Sequence, residues 1–418
     1  MVGGRARDTL DNSEPGVERS RQFKRVGVVC QHMPDNDLNL LDASVVPEHA
    51  HDVKEEARAF ADDHIAPVAG DYFDSGDYPW EVLTAGQEAG LVAADIPAEY
   101  GGRGLDLTEM LALAEEFYRA DAGIGLTLML ASFGTELLDT YGSEAQKEEY
   151  LPPVANGEKL SGLAVSEPET GSDLAGMTTA AEKVEGGYEI TGEKYWVGNG
   201  VEADWLTVYA KTGDSDDRYG NYSLFIVETD RDGYEAEHIP EKMGMRASKQ
   251  AHIVFDDCFV PEENLIGAEG GGFYALADFF NHGRVVVGGH GLGLAAAAIE
   301  EAWGFVHGRN AFGRNVSEFQ AVQHDIADMR TEFEAARSLN WRAAEKVEAG
   351  DDAGLWAAMA KMKSTETAVD CAERGMQLHG GRSILTENRI ARVYRDVRIP
   401  VIYEGASEIQ RNLIYRQS

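Results

Sequence analysis

"RVVVGGHGLGLA", residues 284–295, admits two readings that lead to two different folds. Read as a strand running into a glycine loop, it would open a dinucleotide-binding βαβ unit in an alternating α/β sheet. That fingerprint needs glycines at i, i+2 and i+5. Counted from Gly289 the third position is Leu294, and counted from Gly288 the second is His290. The spacing fails both ways. The stretch runs on instead into "AAAAIEEAWGFVH" (295–307), so it reads as part of a helix whose small residues let neighbours approach closely.

The flanking sequence agrees. Residues 158–271 hold short runs rich in aromatic and β-branched residues: "GYEITGEKYWV" (187–197), "DWLTVYAK" (204–211), "YSLFIVE" (222–228) and "AHIVFDDCFV" (251–260). Turn residues such as Glu185-Gly186-Gly187 separate them, which predicts a small barrel or sandwich. Before this region the period is helical: Val53, Ala57, Phe60, Ala61 and Ile65 share a face, and Ser143 with Gln146 forms a capping box. A Pro- and Gly-rich loop, "IPAEYGGRGLD" (96–106), lies between. After it, Ala-rich helices are expected over 287–307, 319–349 and 353–378. Helices, then strands, then helices make an α+β protein. The expected divisions are an N-terminal helical domain (41–157), a middle β-domain (158–271) and a C-terminal helical bundle (272–418).

Composition narrows the function. A net charge of −36 over 418 residues repels phosphate and excludes nucleic acid as a partner. The acid is spread along the chain, as on the proteins of salt-loving organisms. No unbroken apolar run reaches the ~18 residues of a membrane span. Three cysteines without CxxC spacing provide neither a disulfide framework nor a metal site, and a reducing cytoplasm is the expected location. Residues 1–40 stand apart: the first 32 carry six basic and four acidic side chains, so they read as a disordered arm or as sequence upstream of a start at Met33.

Five stretches carry candidate chemistry. "LAVSEPETGSDLAG" (163–176) offers hydroxyls and backbone N–H groups in a turn, and "GEKYWVGNG" (192–200) sets Trp196 beside a glycine turn, where an indole can wall a planar ligand. "GRNAFGRNVSEFQ" (308–320) has Arg309, Phe312 and Arg314 among glycines, suited to a pyrophosphate and a ring, although Ser317 to Gln320 also reads as a capping box. "QLHGGRSI" (377–384) ends a long helix on Gly380-Gly381 and leaves backbone open. "IYEGASEIQR" (402–411) puts one carboxylate, Glu404, between a tyrosine and a glycine.

Taken in order, with "GLVAADIPAEYGGRGLD", "SEPETGSDLAGM", "MGMRASKQAHIVFDDCFVPEENLIG", "RNAFG", "QLHGGRS" and "IYEGASEIQRNLI", the chain from about residue 50 onward resembles the acyl-CoA dehydrogenases. The resemblance implies an N-terminal α-domain, a middle β-domain and a C-terminal four-helix bundle, usually in a homotetramer. It implies FAD as cofactor, an acyl-CoA substrate and electron transfer to an electron-transferring flavoprotein. By position, Leu163, Val165, Ser166 and Ser172 would line the flavin, Ser172 also reaching substrate, with Trp196 stacked nearby and Gly198 at its polar edge. Arg309, Phe312, Gln320, Gln377 and Gly381 would meet the adenine dinucleotide half, and Ala406 and Glu408 fall at further cofactor positions. Asn281 and Arg284 would contact the acyl-CoA, with Tyr403 as an apolar wall and Gly405 allowing close approach of the thioester. Glu404 falls at the catalytic base. Some relatives carry the base near 280–284, but "FNHGR" there holds no acid. The sequence departs from the family pattern at Ala406 (commonly Thr), Gly198 (Ser or Thr), Asn281 (Asp) and Glu408 (Gln). The alternatives are an oxidase or monooxygenase on the same fold, and a non-catalytic acyl-CoA-binding subunit.

Overall fold

The computed structural model describes residues 38–418 apart from 39 and 215. The expectation of a leading arm and a start at Met33 falls outside these residues, except at its end. There Leu40 is already buried in the core beside Leu41 of the helical domain.

The first layer is helical. His51–Phe60 continues through a wider turn to Ile65 and packs on Leu107–Ala120, burying the stripe of Val53, Ala57, Phe60, Ala61 and Ile65 read from the sequence. Asp106 with Glu109, and Ser143 with Gln146, close capping boxes at the starts of Leu107–Ala120 and Glu144–Ala155.

Eight strands follow: β1 (Ser161–Ala164), β2 (Ala180–Val184), β3 (Gly187–Gly198), β4 (Trp205–Lys211), β5 (Tyr222–Glu228), β6 (Tyr234–His238), β7 (Gln250–Pro261) and β8 (Leu265–Ile266). They form one sheet in the order β6-β7-β3-β2-β4-β5-β8, with β1 parallel to β4. The sheet closes over its own core, where Tyr188 and Ile190, Leu206 and Val208, Phe225 and Val227, and Ile253 and Phe255 meet. The other face of β4 and β5, with Trp205, Tyr209, Tyr222, Leu224 and Ile226, joins the helical core. These two strands are buried along their first six residues because both their faces are covered, and the polar side chains within them, Thr207 and Ser223, are buried too.

The last layer is built on Gly272–His307, with Gln320–Glu348, Ala353–His379 and Ser407–Gln417. Residues 284–295 lie inside this first helix, which starts 15 residues before the Ala-rich stretch expected from the sequence. Its glycines are contact points: a Cβ at 291 would stand 2.7 Å from the Ser364 carbonyl carbon, and one at 293 would stand 2.5 Å from the Glu115 carbonyl oxygen. This helix is long and apolar enough to cross a bilayer, yet 83% of its apolar window is buried within the protein, as in a core helix. Where it passes Leu107–Ala120, Glu115 is fully buried. It accepts from Lys54 Nζ at 3.0 Å, Arg337 Nε at 3.2 Å and Trp341 Nε1 at 3.0 Å.

One cap differs from expectation. Ser317 and Gln320 do not form a box. Asn315 caps instead, accepting from Ser317 N–H at 2.9 Å while Glu318 accepts from Asn315 N–H at 3.0 Å. A short 3₁₀ turn, Val316–Glu318, precedes the helix and takes the cap, so Gln320 opens the helix with its side chain exposed.

Candidate active site

The chain leaves helix Arg389–Asp396 and turns back at 399–406 into Ser407–Gln417. Glu404 has φ 53° and Gly405 φ 86°, two left-handed residues in succession. For a glutamate this conformation costs about 1–3 kcal/mol and persists only where neighbours impose it. Gln410 imposes it from the following helix, its Nε2 donating to the Glu404 carbonyl at 3.1 Å and the Gly405 carbonyl at 2.8 Å. Position 405 favours glycine: its φ of 86° strains any side chain, and a Cβ 2.6 Å from Gln410 Nε2 would displace the amide that holds the turn.

The turn directs Glu404 at the long helix, where a Cβ on Gly283 would stand 3.3 Å from Oε2. Oε2 is buried and has no hydrogen-bond partner among the described residues. Burial drives the carboxyl up to about 7, against the opposing pull of the Arg284 and Lys361 charges. Arg284 is itself buried, donates from Nη1 to Asn281 Oδ1 at 3.1 Å, and stacks over Phe280 with 5.7 Å to the ring centre. The structure therefore brings Asn281, Arg284, Tyr403, Glu404 and Gly405 together. Tyr403 is more than an apolar wall: its hydroxyl meets His290 Nδ1 at 2.8 Å. The His290 ring stacks on Tyr118 at 3.8 Å, and burial holds the imidazole down at about 3, hence neutral.

The second half of the site lies on the sheet. Leu163 and Val165 are buried, Ser166 is half-buried and Ser172 is exposed. The loop between them is clamped by buried Lys194, which donates to the Val165 carbonyl at 2.8 Å and to Glu167 Oε1 at 3.1 Å. Glu167 also accepts from Thr178 and Thr179 N–H, each at 2.8 Å. Although burial opposes it, the Lys194 charge and these amides hold the Glu167 carboxyl down at about 2. Trp196 lies on β3, as the sequence reads, where an indole is more often core. It sits at a break in the β3–β7 register with φ 67° and is 58% exposed, because the bulge turns its side chain outward. Gly198 abuts Leu130, and a Cβ there would lie 2.7 Å from Leu130 Cδ1.

Residues 130–136 link the halves. Leu130 abuts Gly198, Phe133 packs on Phe279 at 5.6 Å between ring centres, and Glu136 feels the charge of Glu404. Burial and the neighbouring Asp95 raise the Glu136 carboxyl to about 8.

At the other end of the long helix, Arg309 and the Gly380-Gly381 backbone line one cavity of about 430 Å³ with Phe305, Val316 and His379. Two motifs separated by about 70 residues thus meet. Phe312, 95% exposed at φ 54°, and exposed Gln320 and Gln377 stand outside this cavity. Ala406 precedes the last helix without a side-chain cap, and Glu408 is exposed in its first turn.

Sequence reasoning missed Lys361, His290, Glu136 and the Lys194–Glu167 clamp. Lys361, His290 and Glu136 sit amid mostly apolar or small helix neighbours, Lys194 on a strand and Glu167 in a loop, and each reaches the site only through packing. For Lys361, Glu136 and Lys194 the one signal was a charged side chain inside an otherwise apolar helix or strand face; His290 and Glu167 gave none.

Comparison with known proteins gives one result. Three family models match in chain order: acyl-CoA dehydrogenase N-terminal domain over 47–158, middle domain over 162–258 and C-terminal domain over 270–418. An acyl-CoA dehydrogenase of Bacillus subtilis is 34% identical over 363 residues, 87% of this chain and 96% of its own length. The mitochondrial short-chain specific acyl-CoA dehydrogenase of Mus musculus is 34% identical over 370 residues, 88% of this chain and 90% of its own. Butyryl-CoA dehydrogenase of Megasphaera elsdenii superposes with TM-score 0.85 at 31% identity, covering 89% of this chain and 98% of that one. A chain described under "Electron transferring flavoprotein of Acidaminococcus fermentans" superposes with TM-score 0.85 at 33% identity, covering 89% and 98%. A glutaryl-CoA dehydrogenase of Mycobacterium smegmatis in complex with FADH2 does so with TM-score 0.83 at 26% identity, covering 89% and 95%. With all three domains matched in order and whole relatives aligned at a third identity, this chain belongs to the acyl-CoA dehydrogenase family and is an oxidoreductase.

Proposed function

We propose that this protein removes hydrogens from Cα and Cβ of an acyl-CoA thioester to give trans-2-enoyl-CoA, with Glu404 taking the α-proton. The cofactor is FAD. Bound FAD supplies the acceptor for the β-hydrogen as hydride. The observation that carries the reading is the buried, unpartnered Oε2 of Glu404, aimed at the long helix from a strained turn. A carboxyl raised to about 7 titrates near neutral pH and is basic enough when ionised to take an activated α-proton. Arg284, steadied by Asn281, holds positive charge beside it.

The residues present fit the cofactor. Leu163, Val165, Ser166, Ser172, Trp196 and Gly198 would flank the flavin, and exposed Trp196 offers a planar wall. Arg309, Gln320, Gln377, Gly381, Ala406 and Glu408 would hold the dinucleotide half, with Phe312 serving a neighbouring subunit of a homotetramer. An aromatic side chain 95% exposed supports that last role. Asn281, Arg284, Ser172, Tyr403 and Gly405 would contact the acyl-CoA. An electron-transferring flavoprotein would receive the electrons, in fatty-acid β-oxidation in a salt-adapted cytoplasm.

The test is anaerobic flavin bleaching in high salt with butyryl-, octanoyl-, isobutyryl- and glutaryl-CoA in turn. Bleaching by one of them is expected and names the acyl class. A protein that takes up no FAD, or a flavin that none of them reduces, overturns the reading. A second expectation concerns pH. The base must be ionised, so kcat/KM should rise about tenfold per pH unit below 7 and level off above it. A profile flat from pH 5 to 8 would remove Glu404 from the reaction.

A further inference from the structure

Lys361 lies in the middle of Ala353–His379 with its side chain fully buried. A buried ammonium is costly unless something holds it there. Its one hydrogen bond among the described residues runs from Nζ to the Gly405 carbonyl at 2.8 Å. That carbonyl belongs to the second of the two left-handed residues in the Glu404 turn. Gln410 Nε2 reaches the same oxygen from the opposite element at 2.8 Å. The Gln410 side-chain amide and a buried ammonium therefore converge on the Gly405–Ala406 peptide, the exit of the turn that aims the carboxylate. The charge matters as well as the contact. Burial presses the ammonium down to about 8, and Glu404 is the first charge that opposes this. Reciprocally, Lys361 draws the Glu404 carboxyl down.

We propose that Lys361 is the positioning residue of the catalytic turn: its ammonium pins the Gly405–Ala406 peptide, and so holds the two left-handed residues 404 and 405 that aim Glu404, with its positive charge behind the base. This rests on the reading of Glu404 as the base. The other groups facing this pair are Arg284 and His290 from Gly272–His307, Glu136 from Thr135–Tyr141, Tyr403 from the turn, Glu366 from the helix of Lys361 itself, and Glu408 from Ser407–Gln417. Of the cations among them, only Lys361 also holds the turn's backbone.

The experiment measures kcat, KM and the pH profile of the FAD-loaded enzyme for Lys361→Met, Lys361→Gln and Lys361→Arg, using whichever acyl-CoA bleaches the flavin. Lys361→Met should lower kcat about 30- to 100-fold with KM changed less than about threefold, since a misaimed base loses rate rather than binding. Its acid limb should move up by about one unit as the carboxylate loses its cation. Lys361→Arg keeps donor and charge and should restore both. Lys361→Gln, which keeps a donor without the charge, should show the same shifted limb with a smaller loss of kcat, and serves if the methionine variant does not fold. A folded Met or Gln variant whose profile superimposes on the parent overturns the proposal. So does a loss of kcat that arginine leaves unrelieved. Glu404→Gln, run alongside, separates the two readings. If it stays active the base assignment falls, and if it is dead while the Lys361 variants keep the parental profile, only the role of Lys361 falls.

Discussion

Glu404→Gln lowers kcat by at least ~10³-fold while the protein keeps its flavin and binds acyl-CoA within a few-fold. Glutamine has the shape of glutamate, so the turn held by Gln410 and Lys361 should persist. Only the proton acceptor is lost. The same substitution should also stabilise the protein above neutral pH. The fold raises the Glu404 carboxyl from 4.5 to about 7, so it favours the protonated form. A group raised in this way contributes stability below its unfolded value and loses it as pH climbs through the folded one. The difference of 7 minus 4.5 corresponds to about 3 kcal/mol, an upper figure for a side chain that is half-buried. Glutamine does not ionise, so denaturant unfolding at pH 8 to 9 should show a more stable variant, with no gain at pH 4. Activity within tenfold of the parent would refute the base role, whatever the stability result.

The largest effect on stability is expected at Glu115. Glu115→Ala should cost about 3–5 kcal/mol, because it removes the buried carboxylate that Lys54, Arg337 and Trp341 share. Burial alone would push this carboxyl up, yet the Lys54 and Arg337 charges outweigh it and the net shift is downward. Lys54 keeps a second partner in Glu116 at 2.7 Å, but Arg337 is left with the Leu40 and Asp42 carbonyls and a distant Asp42 carboxylate at 3.8 Å. The cluster joins His51–Phe60, Leu107–Ala120 and Gln320–Glu348, so the loss should appear as one lowered unfolding midpoint at constant salt. A change below 1 kcal/mol would mean that water replaces the carboxylate.

Legibility differed by element. β3, β4, β5 and β7 were read to within a residue or two at their ends, since aromatic and β-branched runs bounded by glycine turns state their own limits. Residues 284–295 were read as helical because the glycine spacing fails the phosphate-loop rule. The role of those glycines as contact points was also foreseen, and the structure supplies the partners, Ser364 and Glu115. The helical layer was placed from 272, where this helix begins, but only its Ala-rich part from 287 was marked as a stretch, since "GFYALADFFNHG" mixes aromatics and glycine in a pattern that propensity does not favour. The Ser317 to Gln320 box failed because Asn315, two residues earlier, takes the Ser317 amide that the Gln320 side chain would have to accept from.

By itself, the sequence determined the order of helical, sheet and helical layers, the family, and Glu404 as the one acid at a base position, because periodicity and motif spacing are local and survive in a string of letters. Only the tertiary structure decided the surroundings that suit Glu404 to the proposed role of base. Its unpaired oxygen, the ammonium of Lys361 behind its turn, the buried guanidinium of Arg284 beside it and the Glu136 carboxyl across from it come from four elements up to 268 residues apart. Burial and charge act through space, and no local pattern records which distant residues packing will place around one carboxylate.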